Sequence, residues 1–213
     1  MIDTKPAGVQ VFSVIGAVMA WAAVIIQLYL IMVNRTVSIP ETLLRFFTFF
    51  TILSNILVAI CFTVFSLKPL VENGYFFSRS SVLSAVTVYI TIVGTVYQLA
   101  LRSIWDPQGL QKIVDELLHS FTPAYFILFW LLYVPKLTLQ WQHILSWLLF
   151  PLCYLIIILL RGAAADYYPY PFVDVTKLGY GKVFLNCGIV LIAFLFFSAL
   201  LVAVGRFSKK PAD

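Results

Sequence analysis

The stretch that decides the fold is VFLNCGIVLIAFLFFSALLVAV, residues 183–204, which contains no charged side chain. A helix crosses the hydrocarbon layer of a bilayer with about 20 apolar residues, so this stretch is long enough to span a membrane. Lipid offers no hydrogen-bond partners, and a spanning backbone must therefore bond internally as a helix or pair within a closed barrel. Because the run is too long for a barrel strand, it predicts a transmembrane helix.

Five further stretches have a similar apolar character, and the fourth of them also carries His119. The expected spans are Val9–Val33, Leu44–Leu67, Ser81–Leu101, Val114–Val134, Ile144–Leu160 and Val183–Val204. Hydrophobic residues make up 62% of the chain, charged residues 11%, and the mean hydropathy is +0.99, which excludes a soluble globular domain. The sequence therefore predicts an all-α, polytopic integral membrane protein in which residues 1–213 form a single domain of six transmembrane helices.

Basic residues are spread thinly along the chain. The formal net charge is +5, but the 14 Lys and Arg residues lie one or two to a loop. Membrane topology requires such scattered charges at helix ends, so we predict no nucleic-acid partner. The two faces of the membrane receive equal numbers of these residues, and only the cluster Arg206, Lys209 and Lys210 favours cytoplasmic termini. Neither the type of membrane nor the oligomeric state follows from the sequence.

Polar side chains follow one face of the second predicted span, which reads RFFTFFTILSN over residues 45–55. Thr48, Thr51 and Asn55 have the i, i+3, i+7 spacing of a single helical face, one to three turns below the membrane surface. A packing stripe is one explanation, because such side chains bond to neighbouring helices or to carbonyls of their own helix. An asparagine at mid-span is harder to explain in this way, since its amide needs several partners.

The histidine inside the fourth predicted span lies about a turn and a half from the helix start. Asp115 precedes His119 by four residues, so its carboxylate can hold one ring nitrogen while the other nitrogen faces a substrate. Thr122 and Pro123 follow, and the proline is expected to free a backbone carbonyl nearby. A structural histidine bonded across helices is the alternative interpretation.

Polar residues of other spans point toward the same face of the membrane. Gln98 and Arg102 end the third span there, and Asn186 lies near the start of the sixth. The connection before the sixth span interleaves aromatic, proline and acidic residues, including Tyr170 and Asp174. Because proline keeps the backbone extended, this connection is predicted to be a stiff lid or re-entrant loop over a polar pocket. We expect these five residues to bind substrate or to support the site.

A hydroxyl and an imidazole in a pocket of low dielectric are the minimum requirement for nucleophilic acyl transfer. The imidazole accepts the hydroxyl proton, and the oxygen attacks an ester carbonyl. Donors such as Thr51, Asn55 or Asn186 are expected to stabilise the oxyanion. Spacing along the chain does not by itself show that Thr48 contacts His119.

Three motifs, given by their residue numbers, carry a resemblance to a known family. They are RFFTFF (45–50), LLHSFTP (117–123) and YPFVD (170–174), and together they resemble the androgen-induced / androgen-dependent TFPI-regulating protein family. Members are six-helix membrane proteins that hydrolyse fatty acid esters of hydroxy fatty acids through a threonine and a histidine. The resemblance implies that Thr48 is the nucleophile and His119 the base. Thr51 stands where animal members tend to carry an acid.

The leading hypothesis is therefore an enzyme, a threonine-dependent hydrolase of lipid esters within the membrane, with an acyl-ester lipid as substrate. The alternative is a non-enzymatic lipid-binding or carrier protein that uses the same one-sided pocket, and a structural partner subunit is a third possibility. Cys61, Cys153 and Cys187 lie within spans and form no C-x-x-C pair. With one buried histidine and no acidic cluster in the membrane, a metal site lacks ligands, and no metal or cofactor is predicted.

Overall fold

The computed structural model describes residues 7–67 and 75–207, which are almost entirely helical and contain no strand. The all-α prediction is confirmed for these residues. The α-helices are α1 (Ala7–Val33), α2 (Ile39–Phe47), α3 (Phe50–Leu67), α4 (Ser80–Val96), α5 (Gly109–Glu116), α6 (Thr122–Tyr133), α7 (His143–Ala165) and α8 (Val175–Phe207). A first π segment (Tyr97–Leu101) follows α4 directly, and a second π segment (Leu117–Phe121) joins α5 to α6.

Five helices of the described chain are long and apolar enough to cross a membrane, as judged by length and composition. They are Gly8–Val33, Phe50–Leu67, Ser80–Leu101, His143–Ala165 and Val175–Phe207. The predicted fourth span, Val114–Val134, is not among them. It is built from α5, the second π segment and α6 in succession, and Asp115, Glu116 and His119 make its first part polar. These helices fit a multi-pass membrane protein, and the sixth crossing stays a prediction.

The second predicted span is not one continuous helix. The chain leaves the helix at Thr48 and Phe49, which separate α2 from α3. The backbone N–H and the side-chain hydroxyl of Thr48 both donate to the carbonyl of Arg45, at 3.0 and 2.6 Å. A hydroxyl that competes for a helix carbonyl in this way tightens the last turn and ends the helix. The prediction that Thr48, Thr51 and Asn55 share one helical face is therefore wrong, because Thr48 ends the preceding helix.

The chain divides into two compact units, Met1–Thr138 and Leu139–Asp213, so a single domain stays a prediction. In the first unit, α3 packs between α1 and α4, and α6 packs against α4. In the most apolar stretches of Phe50–Leu67 and Ser80–Leu101, 56% and 67% of the residues are buried, which makes these two helices the centre of the unit. Trp130 of α6 donates its indole N–H to Ser84 of α4 at 2.8 Å, and both groups are buried. This bond satisfies a polar pair inside the apolar core.

Aromatic rings fill the centre of the first unit. Phe62 of α3 meets Phe126 and Phe129 of α6 edge-on, with ring centroids 5.1 Å apart in each pair. Such edge-to-face pairs are a favourable arrangement of ring quadrupoles. Gly16 of α1 lies against the same Phe62 ring, and a Cβ atom at Gly16 would stand 2.6 Å from it. The missing side chain at Gly16 is what lets α1 approach α3 so closely.

The second unit consists of α7, the connection that follows it, and α8. Helix α7 ends where Asp166 takes a left-handed conformation, with φ of 50°. Helix α8 is interrupted at Gly179, whose φ of 73° and ψ of 157° are not helical. Large apolar side chains such as Leu145, 77% exposed, cover the outside of both helices, as expected for surfaces that face lipid. Of the basic cluster that was predicted to set the orientation, Lys209 and Lys210 lie outside the described residues.

Substitution of Gly16 by Ala should destabilise the protein by about 1–3 kcal/mol, because the new methyl group overlaps the buried Phe62 ring. Thermal unfolding in detergent micelles measures the effect. Gly188→Ala is the matched control, since a Cβ atom there meets open space and alanine is the better helix former. An unfolding midpoint of Gly16→Ala equal to that of the wild type would contradict the close approach of α1 to α3.

Candidate functional site

His119 lies in the middle of the second π segment, and Pro123 explains why the helix widens there. Proline has no N–H to donate to an earlier carbonyl. The N–H of Thr122, the residue before it, bonds to the carbonyl of Leu117, five residues back instead of four. π segments of one turn are frequent at functional sites, because they turn a side chain away from its regular helical position.

Both ring nitrogens of His119 have polar neighbours. Nδ1 lies 2.9 Å from the backbone carbonyl oxygen of Asp115 and 3.3 Å from its carboxylate Oδ1. Because both neighbours are acceptors, the hydrogen of a neutral ring belongs on Nδ1, which leaves a lone pair on Nε2. Nε2 lies 3.3 Å from Thr51 Oγ1, which donates to it in this tautomer. Asp115, His119 and Thr51 therefore form a chain of carboxylate, imidazole and hydroxyl.

These three side chains are largely shielded from water. The side chains of His119 and Asp115 are 13% and 7% exposed, and Thr51 as a whole is 7% exposed. Hydrogen bonds are electrostatically stronger in such an environment than in water, and a misplaced polar group is more costly. The contact between Asp115 and His119, which are four residues apart, is the one predicted from the sequence.

A side chain of the first π segment packs against the imidazole of His119. The ring of Tyr97 stacks on the ring of His119, with centroids 4.3 Å apart and planes inclined by 14°. Gly94, one turn earlier, allows the contact, since a Cβ atom there would lie 3.2 Å from the carbonyl oxygen of His119 and 3.3 Å from Pro123 Cβ. Sequence reasoning missed both residues, although a glycine within a predicted span is a recognisable sign of close helix packing.

A closed ring of four polar side chains lies beside the stacked pair and joins the two π segments. Arg102 donates to Gln98 Oε1 at 2.8 Å and to Glu116 Oε1 at 2.6 Å. Gln98 in turn donates to the Ser120 hydroxyl at 2.9 Å, and Ser120 donates to Glu116 Oε2 at 2.6 Å. Arg102 and Glu116 are 48% and 37% exposed, so the ring lies at the accessible edge of the site. The sequence predicted Gln98 and Arg102 here but not Ser120 or Glu116.

Thr48, which is predicted to be the nucleophile, and Thr51, which is predicted to support the site, differ in their contacts. The hydroxyl of Thr48 donates to the carbonyl of Arg45, whereas that of Thr51 meets the imidazole. Both residues are 7% exposed. The Thr51 hydroxyl therefore contacts His119, and the role that the resemblance implies for Thr48 stays a prediction.

Asn55 is fully buried one turn beyond Thr51. Its side-chain nitrogen donates to the carbonyl of Thr51 at 2.8 Å and to the carbonyl of Leu118 at 3.2 Å. An amide nitrogen has two hydrogens, so these bonds use both. The structure therefore favours a supporting role for Asn55 over donation to an oxyanion.

Tyr170, Asp174 and Asn186 lie in the second unit, and their predicted part in the site stays a prediction. Asn186 donates to the carbonyl of Phe172 at 2.9 Å, and the Tyr170 ring stacks on the Phe172 ring with centroids 5.2 Å apart. The connection predicted as a stiff lid is thus tied to the helix that follows it. Gly162 of α7 packs against the ring of Tyr168 in the same connection.

Asp174 caps the N-terminus of α8. Its Oδ1 accepts hydrogen bonds from the backbone N–H groups of Thr176, at 3.1 Å, and Lys177, at 3.3 Å, and from the Thr176 hydroxyl. The hydrogen bond from Thr176 is the largest cause that lowers the pKa of Asp174 below its usual 3.8, and burial opposes it. These contacts satisfy N–H groups that the first turn of a helix leaves without partners.

Comparisons with known protein families, with curated proteins and with solved structures found no match for this chain. In the part of the chain that the structure describes, no three His, Cys, Asp or Glu side chains group as metal ligands do. A functional role is therefore inferred from the contacts of Asp115, His119 and Thr51.

Replacement of Asp174 by Ala should destabilise the second unit by about 1 kcal/mol, because the cap of α8 is lost. Asp174→Asn is the matched control, since it keeps an acceptor and removes only the charge. Because the folded pKa lies below 3.8, the contribution of the charge is fully present above about pH 3.8 and is lost as the pH falls through the folded value. Unfolding followed from about pH 6 to about pH 2 should show this loss in the wild type but not in Asp174→Asn, and parallel curves would contradict it.

Proposed function

We propose that the protein is a membrane-embedded hydrolase of lipid esters, of the type formed by a fatty acid and a hydroxy fatty acid. One observation carries the proposal: a buried carboxylate, imidazole and hydroxyl are connected in series through Asp115, His119 and Thr51. This is the order of groups in which a weak alcohol becomes a nucleophile. The resemblance of the three motifs supplies the class of ester.

The proposed reaction proceeds in two steps. His119 Nε2 takes the proton of Thr51 Oγ1 as that oxygen attacks the ester carbonyl, and the imidazolium then gives the proton to the departing alcohol oxygen. Water attacks the acyl-threonine with His119 again as base, which releases the fatty acid and restores Thr51. Asp115 holds the ring in the required tautomer and stabilises its positive form during both steps.

Thr51, and not Thr48, is the nucleophile in this proposal. Thr51 Oγ1 is 3.3 Å from the imidazole, within reach for proton transfer. The Thr48 hydroxyl donates to a helix carbonyl, which holds its hydrogen away from a base. Thr48 lies in the break between α2 and α3, whereas Thr51 lies in the first turn of α3.

The proposal includes the sixth crossing. In it, α5, the second π segment and α6 together cross the membrane, and the ring formed by Gln98, Arg102, Glu116 and Ser120 lies where the site meets water. Acyl chains would lie against the exposed apolar helix surfaces while the ester reaches the depth of Thr51.

Thr51→Val should lower kcat for a fatty acid ester of a hydroxy fatty acid by at least about 100-fold, since the isosteric side chain has no hydroxyl. His119→Gln should have a similar effect. Turnover of the purified protein in detergent or liposomes measures both. Thr87→Val is the matched control, because Thr87 is a buried threonine of α4 whose hydroxyl donates to the carbonyl of Leu83 in its own helix.

Thr48→Val decides between the two threonines. Turnover that survives Thr48→Val and is lost in Thr51→Val supports the proposed nucleophile, and the reverse result assigns that role to Thr48. A wild-type protein that binds the lipid ester without turnover would overturn the hydrolase and leave a lipid-binding protein.

A further inference from the structure

The carbonyl of Leu118 loses its helical donor at the second π segment. In a regular α-helix this carbonyl accepts from the N–H of residue 122, but the N–H of Thr122 bonds to Leu117. A π-helical partner would be the N–H of residue 123, which is a proline and has none. The side chain of Asn55 donates to Leu118 instead, at 3.2 Å. A residue of α3 thus replaces a bond that the fourth predicted span cannot make for itself.

The same amide nitrogen also donates to the backbone of Thr51, at 2.8 Å. One planar group therefore joins the main chain of the proposed nucleophile to the main chain of the residue before His119. Asn55 has no exposed surface, so water does not compete for these two bonds. A planar amide with both hydrogens engaged fixes the separation of its two acceptors within a few tenths of an ångström.

We propose that Asn55 is a positioning residue, which sets the distance between Thr51 Oγ1 and His119 Nε2 by holding the two backbones together. The catalytic consequence rests on the proposed hydrolase function, whereas the positioning itself does not. A displacement of reacting groups by about 1 Å is enough to cost on the order of 100-fold in rate. Asn55 acts through its neighbours and does not touch the substrate.

A purely structural role would have a different signature. Loss of the Asn55 amide leaves the Leu118 carbonyl buried without a donor, which lowers stability whatever the protein does. Pro123→Ala returns an N–H to the helix and can satisfy that carbonyl within its own segment. It does not restore a connection to α3. Stability and positioning are thus separable in the double variant Asn55→Leu/Pro123→Ala.

The first measurement is kinetic. Asn55→Leu should lower kcat about 10–100-fold with KM within about twofold of the wild type, since the reacting groups are displaced while the acyl site is kept. The double variant should recover thermal stability but not kcat. Recovery of kcat together with stability would overturn the positioning role, because Asn55 would then be needed only to satisfy a carbonyl.

The second measurement does not require turnover. His143→Gln removes the other of the two histidines, so that ¹⁵N NMR of labelled histidine reports on His119 alone. In this background, Thr51→Val removes the hydroxyl donor to Nε2 and defines the signal of an uncoupled ring. Asn55→Leu and the double variant should both move the Nε2 signal toward that of Thr51→Val, and an unchanged signal would overturn the positioning. If the wild type hydrolyses no ester and the signal still moves, the hydrolase fails and the positioning stands.

Discussion

The absence of an N–H at Pro123 is the constraint on which the site depends. Leu118 is buried, so its backbone carbonyl has no water to accept from and the structure must supply another partner. The helix widens near the proline so that Thr122 bonds to Leu117, five residues back, and the side chain of Asn55 reaches across from α3 to supply the donor that Leu118 lacks. The widened turn is the segment in which His119 lies. The missing N–H at Pro123 thus determines both the direction of the His119 imidazole and the contact of this segment with α3.

The sequence was informative wherever the chemistry depends on neighbours along the chain. Apolar stretches gave the helices, and the spacing of Asp115 and His119 gave their contact, because residues four apart meet on any helix. Pro123 indicated a free carbonyl for the same local reason. The ending of α2 at Thr48 was not foreseen, since a threonine inside an apolar run is also compatible with a continuous helix.

Contacts between helices were less accessible from the sequence. Tyr97 is adjacent to Gln98, and a regular period of 3.6 residues gives no reason to place its ring against His119. The first π segment changes the helical register by part of a turn. Gly94 allows the segment that carries His119 to approach α4 closely. The choice of Thr51 over Thr48 has the same origin. The two threonines are only three residues apart, and the sequence does not show the break between α2 and α3 that separates them.

The ring formed by Gln98, Arg102, Glu116 and Ser120 carries one positive and one negative charge, so it has no net charge. Its field falls away over a short distance, and a charged lipid in the surrounding membrane would neither be drawn to the site nor be repelled from it. In the proposed hydrolase, entry of an ester along this edge would be governed by its partition into the bilayer and by its shape. Ionic strength would accordingly have little influence on how fast ligands arrive.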